Sequence, residues 1–256
     1  MKIFAGRLKE PFDIICNVLD DVVITFLPDR MFVSEADKMA VNFIDYSLKA
    51  SAFEEYGIQD KLVVRLPTEE LSNVLKRFDI EDVITLESVD SGGKFKIYNS
   101  RKSFTLGCLQ LDQEATQYNL EKIYSLLNVN ISIKSDELKE VLDDIHAIVR
   151  EKTEFIPVIV EKSDKLYFKY KTYESGIDMI EKVSKATSVF NILHFDKFAK
   201  KKLSDVVEIK LGEDAPILFT INQSITKKVG EQDVKEDIAT LKVLVTSMMR
   251  DAVEEN

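Results

Sequence analysis

The sequence predicts an α+β chain of two tandem, similar domains, each with two helices packed on one face of a mostly antiparallel sheet. Three observations lead there. Runs with the apolar/polar alternation of half-buried strands outnumber helical stripes along the chain. The helical stripes are few and amphipathic, so each offers one face to a sheet and one to water. The order of elements in residues 1–112 recurs in residues 129–256, with 113–128 as a connecting loop.

Residues 9–20 place Phe12, Ile15, Cys16 and Leu19 at i, i+3, i+4 and i+7, one helical face. Strand patterns follow at 21–27, 30–35, 39–48 and 61–66, punctuated by Pro28-Asp29. Residues 68–78 repeat the helical spacing with Leu71, Val74, Leu75 and Phe78, after Pro67 and with Thr68 in the N-cap position. Strands at 82–89, 94–98 and 102–111 close the first half, the turn Ser91-Gly92-Gly93 joining the first two.

The pattern then restarts. A strand at 129–134 precedes a helix at 135–149 with the stripe Leu138, Val141, Leu142, Ile145 and Val149, and Ser135 as its cap. Strands at 155–161, 165–173, 177–184 and 188–193, a helix at 195–203 and strands at 206–211, 216–222 and 239–246 complete the half. "LSNVLKRFDIEDVITLESVDSGGKFKIY" and "FDKFAKKKLSDVVEIKLGEDAPILFTI" both read as basic helix, acidic turn, strand, Gly turn, strand. A repeat of roughly 110 to 130 residues is too long for a solenoid and fits a duplicated domain.

Apolar residues at 45% and charged residues at 31% place the chain among folded, water-facing proteins. No run of about 18 apolar residues can span a bilayer, and the start, MKIFAGRLKEPF, lacks a signal-peptide core, so an intracellular protein with no membrane partner is expected. Cys16 and Cys108 sit in apolar surroundings without metal-ligand spacing and read as buried thiols. His146 and His194 belong to no nucleophile, zinc or P-loop pattern, and Gly92-Gly93 reads as a hairpin turn. The adjacent acids Asp20-Asp21, Glu54-Glu55, Glu69-Glu70 and Asp143-Asp144 point in different directions. No catalytic residue, cofactor or metal is therefore expected; the enzymatic alternative, a metal-dependent α+β hydrolase or nuclease, requires scattered acids. One local feature runs against the net charge of −10: Lys197, Lys200, Lys201 and Lys202 crowd into one stretch. Screening within about 8 Å lets such a face attract a polyanion despite the acidic total.

Three stretches resemble a DNA sliding clamp of the archaeal and eukaryotic type, the proliferating cell nuclear antigen (PCNA) family. "SEADKMAVNFIDYSLKASAFEEY" (residues 34–56) is similar to the family's strand, Asp turn, strand and Phe-x-x-Tyr turn. "LSDVVEIKLGEDAPILFTI" (203–221) resembles its Leu-Ser-Asp, strand, Gly, Pro, strand pattern, and "LKVLVTSM" (241–248) stands at its final strand, with Glu254 and Glu255 echoing an acidic tail. The chain departs from the family in having Thr246-Ser247-Met248 for the usual Ala-Pro-Lys, Leu244 for a Tyr, and a longer charged segment at 224–237.

The resemblance implies a DNA clamp fold and a head-to-tail ring, usually of three chains, helices lining the hole and sheets outside. It implies edge pairing of residues 102–111 with 177–184 of the next chain, with Ser103, Thr105, Gly107, Leu109, Ile177, Met179, Glu181 and Val183 at the subunit interface. Double-stranded DNA, bound without sequence preference, would meet Lys9, Lys76, Arg77, Lys139, Arg150, Lys197, Lys200, Lys201 and Lys202. A polymerase, clamp loader, ligase or nuclease would plug a short peptide into a pocket beside the connecting loop, lined by Ala36, Ala40, Val41, Tyr118, Leu120, Pro216, Leu244 and Thr246. Its place of action would be an archaeal cytoplasm or nucleoid, or a eukaryotic or viral replication site. A checkpoint-type clamp or one subunit of a heterotrimer is the alternative within the family.

Overall fold

The computed structural model describes residues 1–111, 120–149, 156–178, 186–199, 204–229 and 232–248. Two compact units divide the chain, Met1–Tyr118 with Asn222–Leu241, and Asn119–Ile221 with Lys242–Asn256.

The first unit opens with β1 (Lys2–Phe4) and α1 (Gly6–Val18), followed by β2 (Asp21–Phe26), β3 (Arg30–Ala36), β4 (Asn42–Lys49), β5 (Leu62–Pro67), α2 (Thr68–Leu75), β6 (Val83–Val89), β7 (Lys94–Tyr98) and β8 (Ser103–Gly107). The second contains α3 (Glu121–Tyr124), β9 (Val129–Lys134), α4 (Ser135–Ile148), β10 (Pro157–Lys162), β11 (Leu166–Tyr170), β12 (Tyr173–Ile177), β13 (Ala186–Asn191), α5 (Leu193–Ala199) and β14 (Val206–Leu211). The long strands β15 (Ile217–Val229) and β16 (Gln232–Val245) each contribute to both units.

In the first unit β1-β6-β7-β8 form one sheet, while β5-β2-β3-β4 continue to β16. In the second, the order is β13-β10-β11-β12 in one sheet, and β9-β14-β15 in the other. The duplication is plain in these orders: β1-β6-β7-β8 matches β9-β14-β15-β16, and β5-β2-β3-β4 matches β13-β10-β11-β12. The ladders are antiparallel, with Val22 opposite Leu66 and Ile24 opposite Val64, so β2 and β5 turn their apolar residues to the same face.

That face is covered by helices. In the first unit Leu8 and Phe12 of α1 and Leu71 and Leu75 of α2 meet Ile24, Phe26, Met31, Leu86, Phe95 and Ile97 around an apolar cavity of about 20 Å³. The second unit packs Leu138, Val141, Leu142 and Ile145 of α4, all buried, and gathers four phenylalanines. Phe195 lies 5.5 Å from Phe190 and 5.3 Å from Phe219 between ring centroids, and Phe198 4.8 Å from Phe219. Such pairs add about 0.5–1.5 kcal/mol each beyond their buried area.

Several local expectations are corrected. The expected strand at 165–173 is a hairpin: β11 and β12 pair Tyr170 with Tyr173 across a two-residue turn in which Lys171 takes φ 52°. Without Gly or Asn, that turn carries no signal. Among the described residues β12 ends its sheet, and of the expected edge strand 177–184, residues 179–184 lie outside the described residues. Thr68 and Ser135 do not cap their own helices. Thr68 Oγ1 lies 2.8 and 2.7 Å from the carbonyl oxygens of Leu19 and Asp20, where α1 ends, and Ser135 Oγ donates to the carbonyl of Ser204 at 2.5 Å. The hydroxyls thus tie successive elements together. Helix α1 starts at Gly6, earlier than residue 9, because the Ala5 and Gly6 amides are anchored on the carbonyls of Asp82 and Ile80 at 2.8 and 2.9 Å. The described residues of the charged segment 224–237 belong to β15 and β16, clasped by Ser224 Oγ to Asp237 Oδ1 at 2.6 Å and Thr240 Oγ1 to Asn222 Oδ1 at 2.9 Å.

Candidate nucleic-acid interface and partner surface

Five of the nine expected DNA-facing cations are described, each on or just after a helix; Arg150, Lys200, Lys201 and Lys202 lie outside the described residues. Lys9 Nζ donates to the Phe78 carbonyl at 2.6 Å, bracing α1 against the end of α2. Lys76 follows α2 directly, 3.9 Å from Asp13 of α1, and Arg77 is exposed beside it. With Glu69 and Glu70 in the first turn, this charge order also suits the α2 dipole. Lys197 is half-exposed on α5, whose Phe195 and Phe198 are buried. Lys139 is exposed on α4 but shares that helix with Asp136, Glu137, Glu140, Asp143 and Asp144. The polar face of α4 is acidic, with Lys139 among five carboxylates.

The described residues of the expected peptide pocket lie at the β3–β4 turn, just before α3, just before β15 and at the end of β16. In the first unit the β3–β4 turn is fastened by Asp37: its Oδ1 accepts the Val41 amide at 2.8 Å and its Oδ2 the Asn42 side-chain amide at 2.6 Å. Ala40 takes φ 53°, a left-handed conformation costing a residue with a Cβ roughly 1–2 kcal/mol. The turn holds Ala36 and Val41 half-buried, Ala40 exposed, and Met39 80% exposed. A lone Met carries no periodic signal, so this exposure is not legible in the sequence. At the opposite end of the β3–β4 ladder, the Phe53-x-x-Tyr56 motif serves packing: the rings are 4.6 Å apart and the Tyr56 hydroxyl lies 2.7 Å from the Leu27 carbonyl.

In the second unit Leu120 is half-buried, and Lys242 Nζ stands 5.6 Å from the centroid of the Tyr124 ring. Leu126 is 57% exposed, and its carbonyl presses on Gly212, where a Cβ would come within 2.1 Å of the Leu126 oxygen. Only glycine admits so close a backbone. Pro216 and Thr246 are half-buried, whereas Leu244 is a core residue at 3% exposure. Tyr118 lies outside the described residues.

Two of the strands that end sheets, β8 and β12, carry described residues of the expected subunit interface. On β8, Ser103, Thr105 and Gly107 are exposed. Leu109 lies past its end, and its amide already donates to the Arg65 carbonyl at 2.8 Å. At the other edge Ile177 closes β12 and is buried; Met179, Glu181 and Val183 lie outside the described residues. In the duplicated order the counterparts of β8 and β12 are β16 and β4, and these two are neighbours within the chain.

Other titratable groups have structural partners. His146 Nε2 of α4 lies 2.6 Å from Asp196 Oδ2 of α5. Burial pushes the Cys16 thiol up to about 12, with Asp13 adding to the shift, and raises Cys108 as well; neither thiol is activated. Among the described residues no group of three or more His, Cys, Asp or Glu side chains could hold a metal ion, and no helix is long and apolar enough to cross a membrane.

No family model matches the chain. It is 25% identical over 238 residues to the DNA polymerase sliding clamp of Methanothermobacter thermautotrophicus, covering 88% of this chain and 90% of the relative. Among solved structures, the PCNA2–PCNA3 complex of Sulfolobus tokodaii superposes with a TM-score of 0.75 at 21% identity, covering 96% of this chain and 99% of that one. A. fulgidus PCNA, solved with the C-terminal region of FEN-1 bound, gives 0.77 at 16% identity over 97% and 98%. The chain is thus similar over most of its length to archaeal DNA polymerase sliding clamps, and it shares the fold of the solved PCNA structures.

Proposed function

We propose that the chain acts as a DNA sliding clamp: copies close into a ring around duplex DNA and tether replication and repair enzymes to it, without chemistry of their own. The observation that carries this reading is that two edge strands, β8 and β12, have internal counterparts that are paired. Inside the chain β4 and β16 are neighbours, while their counterparts β12 and β8 stand at sheet edges. Free edges invite pairing with another chain, and a head-to-tail contact of this kind closes into a ring when the rotation per subunit divides the circle.

Lys9, Lys76, Arg77, Lys139 and Lys197 are the described cations that would touch DNA, together with Arg150 and Lys200 to Lys202. Phosphate contacts carry no sequence information and weaken as salt rises, which suits a protein that slides. The acidity of α4 makes that contact uneven around the bore. The peptide of a polymerase, clamp loader, ligase or nuclease would engage the Met39–Val41 turn and the surface around Leu120, Pro216 and Thr246. The exposed Met39 and Leu126 are apolar anchors of the sort such a peptide covers. The reading places the protein inside the cell, at replicating DNA.

The test is primer extension on a primed circular template with an archaeal-type polymerase and clamp loader. The chain is expected to lengthen the products made per binding event. Unchanged product length, with loader and polymerase active on another clamp, would contradict the reading.

A further inference from the structure

In the first unit the β2–β3 ladder pairs Phe26 with Met31 and Thr25 with Phe32, and beyond it a side chain replaces the backbone: the Val23 amide donates to Glu35 Oε2 at 2.8 Å. On the other side β4 sets Ile44, fully buried, opposite Glu35. A carboxyl is thus wedged between strands, and burial is the largest cause of its rise to about 7. The charged groups acting on it are Asp21 of β2, which adds to the rise, and Arg65 of β5, which opposes it. Lys38 of the β3–β4 turn pairs with Asp20 at 2.7 Å and lies in the field of Asp21 and Arg65 as well.

Arg65 does more than balance these carboxylates. Its Nε donates to Asp21 Oδ1 at 2.7 Å, its Nη1 donates to the Gln110 carbonyl at 3.2 Å, and its own carbonyl accepts the Leu109 amide at 2.8 Å. One residue of β5 therefore fastens Leu109 and Gln110, where the chain leaves β8. Leu109 and Leu111 are each 41% exposed, so packing holds this stretch weakly and the Arg65 bonds carry it.

We infer that Glu35 is a proton-operated catch on this fastening: on losing its proton to solvent it draws the Arg65 guanidinium off the Gln110 carbonyl and loosens Leu109–Leu111. A buried carboxylate needs a counter-charge, and a hydrogen bond between two ions is roughly twice as strong as one between neutral groups. Lys38 is engaged by Asp20, whereas Arg65 is the cation that acts on Glu35. With Asp21 and Glu35 both ionised, two carboxylates share one guanidinium, and the neutral Gln110 carbonyl is the partner given up. The fastening is therefore held below about pH 7 and released above it. The consequence for partners rests on the clamp reading above, in which the Met39–Val41 turn and the loop that follows Leu111 flank the peptide surface: a looser root weakens tethering at alkaline pH.

Hydrogen exchange in the full-length chain tests the catch, read as the protection factor of the Leu109 amide at pH 6 and pH 8 after correction for the intrinsic exchange rate, with the thermal unfolding midpoint as a folding control. Wild-type protection is expected to fall by about tenfold from pH 6 to pH 8, the scale of losing one hydrogen bond to a charged group. Glu35→Gln, which cannot ionise, should keep the pH 6 value throughout, and Arg65→Ala should be low at both. A flat wild-type profile, or a Glu35→Gln profile that still falls, overturns the inference and leaves the clamp reading standing. Primer extension reads the consequence. The product length with wild type divided by that with Glu35→Gln, a ratio that cancels the pH response of polymerase and loader, should be near one at pH 6 and below one at pH 8. A ratio of one at both overturns the effect on partners. If neither chain lengthens the products, the clamp reading fails, and the exchange profile still decides the catch.

Discussion

The first and second units share a strand order and differ in what their helices show to water. In α4 five carboxylates accompany Lys139, whereas the end of α2 carries Lys76 and Arg77. The apolar faces are similar in kind: Leu71, Val74 and Leu75 on α2, and Leu138, Val141, Leu142 and Ile145 on α4, all buried. Duplication constrains the faces that pack, because a sheet accepts a helix only through matched apolar surface. It leaves the outward faces free, and the charge that distinguishes one helix from the other sits there.

Core substitutions should produce the largest effects and sharpen this contrast. Phe195→Ala removes the centre of the phenylalanine cluster in the second unit and is expected to cost about 3–5 kcal/mol. Leu71→Ala, on α2 beside the small cavity of the first unit, is expected to cost about 2–4 kcal/mol. Hydrogen exchange read separately on β14 and on β2 checks both. Equal loss of protection in both units for either variant would show that the halves unfold as one and would break the comparison.

A smaller effect is electrostatic and belongs to the first unit. Burial pushes the Glu35 carboxyl up to about 7; Asp21 adds to the rise, while the Val23 amide, 2.8 Å from Oε2, and Arg65 oppose it. A carboxyl whose folded value lies above its unfolded one binds more protons when folded. Its contribution is complete below about pH 4.5 and is lost as pH rises through about 7. Glu35→Gln should therefore stabilise the protein at pH 8, by no more than about 2 kcal/mol once solvent screening is discounted, and change little at pH 4. Asp164 in the second unit is displaced downward, chiefly by the Ser163 hydroxyl and its own backbone amide, so it favours stability as pH rises. Urea midpoints of wild type and Glu35→Gln across that range decide the sign; a gap that widens toward acid would contradict it.

The alternating runs and amphipathic stripes made the core and the duplication legible in the sequence. Phe12, Ile15, Leu138 and Ile145 are all buried, as their spacing predicts. What escaped were features set by contacts distant in sequence. The three-residue β1 is too short for a period, and the Lys171 turn has no glycine to mark it. Thr68 and Ser135 look like caps, yet their hydroxyls reach carbonyls 48 and 49 or 69 positions away. An acidic groove between α4 and β12 was illegible for a related reason: Glu137, Glu140 and Asp144 are ordinary helix-surface residues until β12 comes alongside them.

The central claim is topological, and linearising the DNA tests it most directly. Clamp loaded onto nicked circular DNA and separated from free protein should remain bound at moderate salt while the circle is intact. It should be lost within minutes once a restriction enzyme opens the circle, by sliding off the ends. Equal retention on circular and linear DNA would mean that the protein holds DNA by contact alone and would contradict the account.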